Sequence, residues 1–150
     1  MLGSLHRITR LRPRDIFQIG VLSTLLLGIE IGLRLTRLDR LSRVLGIGFL
    51  KIDDSEHWAT FEPLNQTERR WTDNASRLLR RWPLDATCLR RSLMLGWILR
   101  RRSPVLVLGV TRSHGAVSAH AWIRVGATDL DPTASTYLPF RFDSVKTDAE

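Results

Sequence analysis

Residues 119–133 read AHAWIRVGATDLDPT, two short alternating runs separated by a glycine. In the first, His120, Trp122 and Arg124 alternate with Ala121, Ile123 and Val125; in the second, Thr128 and Leu130 alternate with Asp129 and Asp131. A period of two is the mark of strands that present one polar and one apolar face. Gly126 supplies a turn between them, so the stretch predicts an antiparallel hairpin. With the turn at Gly126, facing residues have numbers summing to about 251 or 252, which sets His120 against Asp131. Asp129 lies two residues away along the ladder. A strand histidine is most often a packed residue with satisfied nitrogens, so the acid across from it bears on whether it does chemistry.

Working outward, SPVLVLGV (residues 103–110) is a β-branched apolar run bounded by Pro104 and by the polar TRSHGAVS, and it predicts a central strand. Before it stands PLDATCLRRSLMLGWILRRR. Leu89, Leu93, Gly96 and Trp97, flanked by Cys88, Leu95 and Leu99, recur at helical spacing; Asp85 is the predicted N-cap, and Arg100 to Arg102 close the negative end of the dipole. Cys88 then falls in the first turn, where unpaired N–H groups and the helix dipole favour a thiolate. A buried cysteine that merely fills space fits the same position. A Cys–His pair additionally needs a third polar group to fix the imidazole. An acid on the second strand of the hairpin can do this.

The helix-borne Cys88, the apolar strand, HAW and DLDPT together resemble the transglutaminase-like cysteine peptidases. More narrowly, CLRRSLMLGWILRRR, VLVLGV and SAHAWIRVGATDLD resemble, in order and spacing, the leader peptidases of lasso-peptide biosynthesis, over Trp82 to Phe140. The resemblance implies an α+β fold: N-terminal helices, then a transglutaminase/papain-like core with the nucleophile at a helix N-terminus packed on a small antiparallel sheet. It implies Cys88 as nucleophile, His120 as general base and acid, and Asp131 as the orienting acid, with Trp122 packed beside the histidine and no cofactor. The chain departs from the family in its short turn, a lone Gly126 where an acid–glycine pair is common, which leaves Asp129 open as the third member. The Cys88 N–H is one expected oxyanion donor, and the other is expected from the turn Trp82 to Thr87.

The reaction implied is hydrolysis of one peptide bond in a ribosomally made precursor peptide, with a small leader-binding protein presenting it and a lasso cyclase taking the product. Two rival readings stand beside it. One is an amidase or acyl transferase on the same fold. The other is a noncatalytic, basic, membrane-associated adaptor in which Cys88 is only packed.

The remaining sequence bounds these readings. A chain of 150 residues that is 43% hydrophobic suits one core. Residues 1–66 read as an N-terminal helical region and connection, and 67–150 as the peptidase core, in one folded unit. One cysteine excludes an internal disulfide and a CxxC metal site and suits a cytoplasmic protein. His6, His57 and His114 are scattered, and no metal site is expected. The formal charge of +8 points to acidic partners, but with one tyrosine and no stacking motif, nucleic acid is not expected. Ile16 to Leu33 is nearly long enough to cross a bilayer, yet it contains Gln18 and Glu30 and precedes no signal-type cleavage site, so it reads as a buried or interfacial helix. Arg34, Arg37, Arg40 and Arg43, interleaved with Leu35, Leu38, Leu41 and Leu45, predict one amphipathic helix whose basic face suits a partner or peripheral membrane contact. Lys51 to Gln66 loses this periodicity and reads as a connection, with Asp53, Asp54 and Glu56 in a solvated loop. A helix is expected from Thr67, carrying Trp71, Leu78 and Trp82, until Pro83 ends it.

Overall fold

The apolar N-terminal run forms one long helix, α1 (Pro13–Leu35). The computed structural model describes residues 13–49, 62–83, 87–113 and 116–140. Leu22, Leu26 and Ile29 of α1 are fully buried, while other apolar residues of the helix face outward, so its sequence shows no strong sidedness. The arginine–leucine repeat is not one helix but two. The chain breaks at Thr36–Arg37, where Arg37 is extended (ψ 145°), and restarts as α2 (Leu38–Val44). The break folds α2 back so that Leu41 lies over Gly32, where a β-carbon would come within 2.6 Å of Leu41 Cδ1. Gly46 then reverses the chain at φ +74°, a conformation that suits glycine, with Ile47 N donating to Ser42 O and Gly46 N to Arg43 O. That reversal launches β1 (Gly48–Phe49).

Helix α3 (Gln66–Leu79) begins one residue earlier than its periodicity suggests, because Asn65 and Glu68 form a reciprocal capping box. It ends before Trp82. Helix α4 (Cys88–Ile98) starts at the cysteine itself. Its N-cap is Thr87, not Asp85, which lies outside the described residues. A 3-10 turn over Arg100–Arg102 leads into β2 (Val105–Ser113), which pairs along its whole length with β3 (Ala116–Val125). Both strands run through most of TRSHGAVS, so the polar stretch is strand ends rather than a long loop; His114 lies outside the described residues. After Gly126 and Ala127 the chain pairs briefly as β4 (Thr128–Asp129), and β5 (Leu138–Pro139) returns to β2.

The sheet order is β1-β2-β3-β4, with β5 also on β2. The expected antiparallel sheet is therefore mixed: β1 runs parallel to β2 and shares its outer edge with β5. Leu22, Leu26 and Ile29 of α1 fall in one buried cluster with Leu93 and Met94 of α4 and with Leu106, Ala121, Ile123 and Val125 of the sheet. A second, smaller cluster, Val107, Trp122 and Ala134 with Tyr137, covers the other face. The two faces of β3 thus belong to two different environments.

Candidate active site

The turn sets the register on which the site depends. Arg124 faces Asp129 and Val125 faces Thr128, across a two-residue turn of Gly126 and Ala127, with Gly126 at φ +55°. The lone-glycine turn is corrected accordingly, and the pairing ends at Asp129 because Asp131 has already left the strand. His120 Nε2 nevertheless lies 2.9 Å from Asp131 Oδ2. The other carboxylate oxygen, Oδ1, accepts from the Thr133 amide at 2.8 Å and from the Thr133 hydroxyl at 2.6 Å. This side-chain turn fixes the carboxylate toward the imidazole. Burial, the largest single influence, pushes the Asp131 carboxyl up; the Thr133 and His120 hydrogen bonds together outweigh it and hold the group below its ordinary range.

Asp129 has other partners. Its Oδ1 accepts from Trp122 Nε1 at 2.7 Å and from Arg124 Nε at 2.7 Å, and Oδ2 accepts from Arg124 at 2.9 Å. The structure therefore pairs His120 with Asp131 and gives Asp129 to Trp122 and Arg124. Trp122 packs beside the histidine as expected, with ring centroids 6.0 Å apart and planes 21° from parallel. Tyr137 stacks still closer, at 4.9 Å. The imidazole is thus held at one nitrogen and stacked by aromatic rings.

Cys88 opens α4 and is half-buried, and α4 packs beside β3. The placement follows from two hydrogen bonds. Leu130 N donates to Ile123 O, so the carbonyls of Ile123 and, two residues earlier, Ala121 point away from β2. Ser92 Oγ donates to Ala121 O at 2.9 Å, which lays the first half of α4 along that edge. Ser92 is about 6 Å, one turn, beyond Cys88 along the helix, and Ala121 is the residue after His120. Among the described residues no hydrogen bond joins Cys88 Sγ to the imidazole; the structure brings His120 and Asp131 into contact and sets Cys88 on the neighbouring element. Thr87 makes no side-chain cap; its hydroxyl accepts from Arg90 at 3.3 Å instead. The first-turn N–H groups of α4 keep no intrahelical partner and are donors suited to an oxyanion. In the preceding turn, Trp82 Nε1 is buried with no hydrogen-bond partner among the described residues, which leave out residues 84–86.

Arg90 also reaches Glu30, the acid within the apolar stretch of α1. Its guanidinium makes two hydrogen bonds to the Glu30 carboxylate, and Arg34 adds a third at 3.2 Å. The Arg90 hydrogen bond chiefly holds the Glu30 carboxyl below its ordinary range. A charged pair thus ties α1 to the turn that carries Cys88. Sequence reasoning missed Thr133, Tyr137, Ser92 and the Glu30–Arg90 pair. Only Thr133 had a local signal, an aspartate two residues ahead of a threonine across a proline.

No curated protein and no solved structure matches the chain. The Transglutaminase-like superfamily matches residues 25–141, from within α1 to just beyond β5. That span covers most of the sequence and includes Cys88, His120 and Asp131, and the protein belongs to the transglutaminase-like superfamily.

Proposed function

We propose that this protein is a cysteine peptidase that removes the leader from a ribosomally made lasso-peptide precursor. Membership of the superfamily supports activity of the cysteine peptidase, amidase or acyltransferase type. The observation that carries a catalytic reading is the His120–Asp131 pair, formed beside the strand edge on which the first turns of α4 lie. The leader-peptidase reading rests on the order and spacing of the sequence stretches around these residues.

In the proposed mechanism Asp131 accepts from Nε2–H, which leaves the Nδ1 lone pair of His120 as the base. His120 takes the Cys88 proton, Sγ attacks the scissile carbonyl carbon, and the resulting oxyanion is received by first-turn N–H groups of α4. Collapse breaks the C–N bond as the imidazolium gives its proton to the leaving amine, which departs as the new N-terminus of the core peptide. Water, deprotonated by His120, then attacks the thioester; the leader leaves with a free carboxylate and Cys88 regains its proton. Asp131 stays ionised and steadies the imidazolium at each stage. A small leader-binding protein presents the precursor, a lasso cyclase consumes the product, and the reaction takes place in the cytoplasm.

Mass spectrometry of the purified chain with precursor and leader-binding protein tests this. Two products whose masses sum to the precursor plus one water are expected, and none with Cys88→Ala. An intact precursor beside turnover of a simple amide or acyl donor would sink the leader-peptidase reading and keep the chemistry of the superfamily.

A further inference from the structure

A row of apolar side chains left in water asks for an explanation. On α1, Ile16, Phe17, Leu27 and Ile31 are 60%, 71%, 51% and 57% exposed. With Gly20 and Thr24, also exposed, these positions recur every three or four residues and form one ridge about 22 Å long. The ridge carries no charge. Its one exposed hydroxyl, Thr24, already donates to Gly20 O at 3.1 Å. The two acids of α1 are engaged elsewhere: Asp15 with Asn74, and Glu30 beneath Arg90.

Cations stand at both ends. Arg14 is exposed at the start, and Arg34 and Arg37 have side chains 70% and 90% exposed at the other end. Arg40 and Arg43 continue the charge along α2, where Asp39 pairs with Arg43 at 3.2 Å and, more distantly, with Arg37 at 3.8 Å. A protein occupant gains specificity from hydrogen bonds, which protein interfaces carry at about one per 100–200 Å², and this ridge offers none. An anionic bilayer requires what is present: apolar side chains for the acyl boundary and guanidiniums level with the phosphates. We propose that α1 docks in the plane of an anionic membrane, ridge downward, with Arg14, Arg34 and Arg37 at the lipid phosphates. The helix lies on the bilayer and does not cross it, because its opposite face is buried against α3 and α4 and is pinned through Glu30 to Arg90.

Co-sedimentation of the full chain with vesicles decides the matter. Against phosphatidylcholine alone, an equal mixture with phosphatidylglycerol is expected to bind at least about tenfold more protein, with binding that weakens as salt rises. Phe17→Ser/Leu27→Ser/Ile31→Ser is expected to lose about tenfold or more while keeping the wild-type circular dichroism, since all three residues are exposed. Arg14→Gln/Arg37→Gln leaves the ridge intact and should lose the salt-sensitive part. No binding to the mixed vesicles, or undiminished binding by both variants, overturns the proposal. So does light scattering that shows a wild-type dimer converted by the triple variant to monomer, because the ridge is then a protein interface.

Discussion

On one face of β3, Ala121, Ile123 and Val125 lie in the large core with Leu93 and Met94 of α4. On the other, His120, Trp122 and Arg124 meet Tyr137 and the two acids beyond the turn. The first face is held by area, which has no direction, and an apolar side chain of suitable volume serves there. The second is held by hydrogen bonds that assign each acid its own partner, and a slip of one residue would turn both acids away from those partners. One strand therefore carries a surface that accepts exchange among apolar side chains of like volume, beside one that accepts no exchange of its polar groups.

The sharpest way to break this contrast is to cut the two acids separately. Asp131→Asn keeps a hydrogen bond to His120 but admits the wrong tautomer, so the single-turnover cleavage rate should fall about 10²–10³-fold with the thermal midpoint little changed. Asp129→Asn disturbs the Arg124 pair and the Trp122 bond, and should cost stability, about 1 kcal/mol, with little change in rate. Equal loss of rate in both variants would show that the pairing of His120 with Asp131 does not set the chemistry.

The contrast also explains what the sequence disclosed. Alternation through AHAWIRV and helical spacing through CLRRSLMLGWI gave the strand and helix, because each has one face whose burial leaves a period. The hairpin was legible to within a residue or two: a register off by one still brought Asp131 near His120, since the acid leaves the strand after Asp129 and reaches back through its turn with Thr133. β1 was not legible, because two residues cannot show a period; its only sign is Gly46, which ends α2 and turns the chain. Nor was the role of Glu30 legible, since its partner Arg90 lies 60 residues away. The break at Thr36–Arg37 was hidden because leucines continue at helical spacing through both helices, and it is Leu41 closing on Gly32 that selects the bend.

The tolerant face has a limit set by volume. A β-carbon on Gly96 of α4 would stand 2.6 Å from Ile47 Cδ1 and 3.1 Å from Ile123 Cδ1. Gly96→Ala should therefore destabilise by about 1–3 kcal/mol, although alanine is the better helix former. The cleavage rate of the folded fraction should stay near wild type, because Gly96 touches the apolar face alone. Urea unfolding beside single-turnover kinetics measures both. A rate that fell with stability unchanged would mean that the two faces are mechanically coupled through β3.

The smallest effect is the most specific to the polar face. Asp131 is held below its ordinary value of 3.8, against its burial, by the bonds from Thr133 and His120. A group whose carboxyl is depressed by folding stabilises the native state above its unfolded value and loses that contribution as pH falls through the folded one. Acidification below about pH 4 should therefore cost the wild type a share of stability that Asp131→Asn never had, and the difference between their unfolding free energies should narrow toward low pH. Ala121→Val, on the apolar face, alters packing and no titrating group, so its offset from wild type should stay constant over the same range. Chemical denaturation of the three proteins at stepped pH reads the comparison directly. An offset for Asp131→Asn that stays as flat as that of Ala121→Val would show that the Thr133 and His120 bonds do not favour the ionised carboxylate, and the two faces would then differ in geometry only.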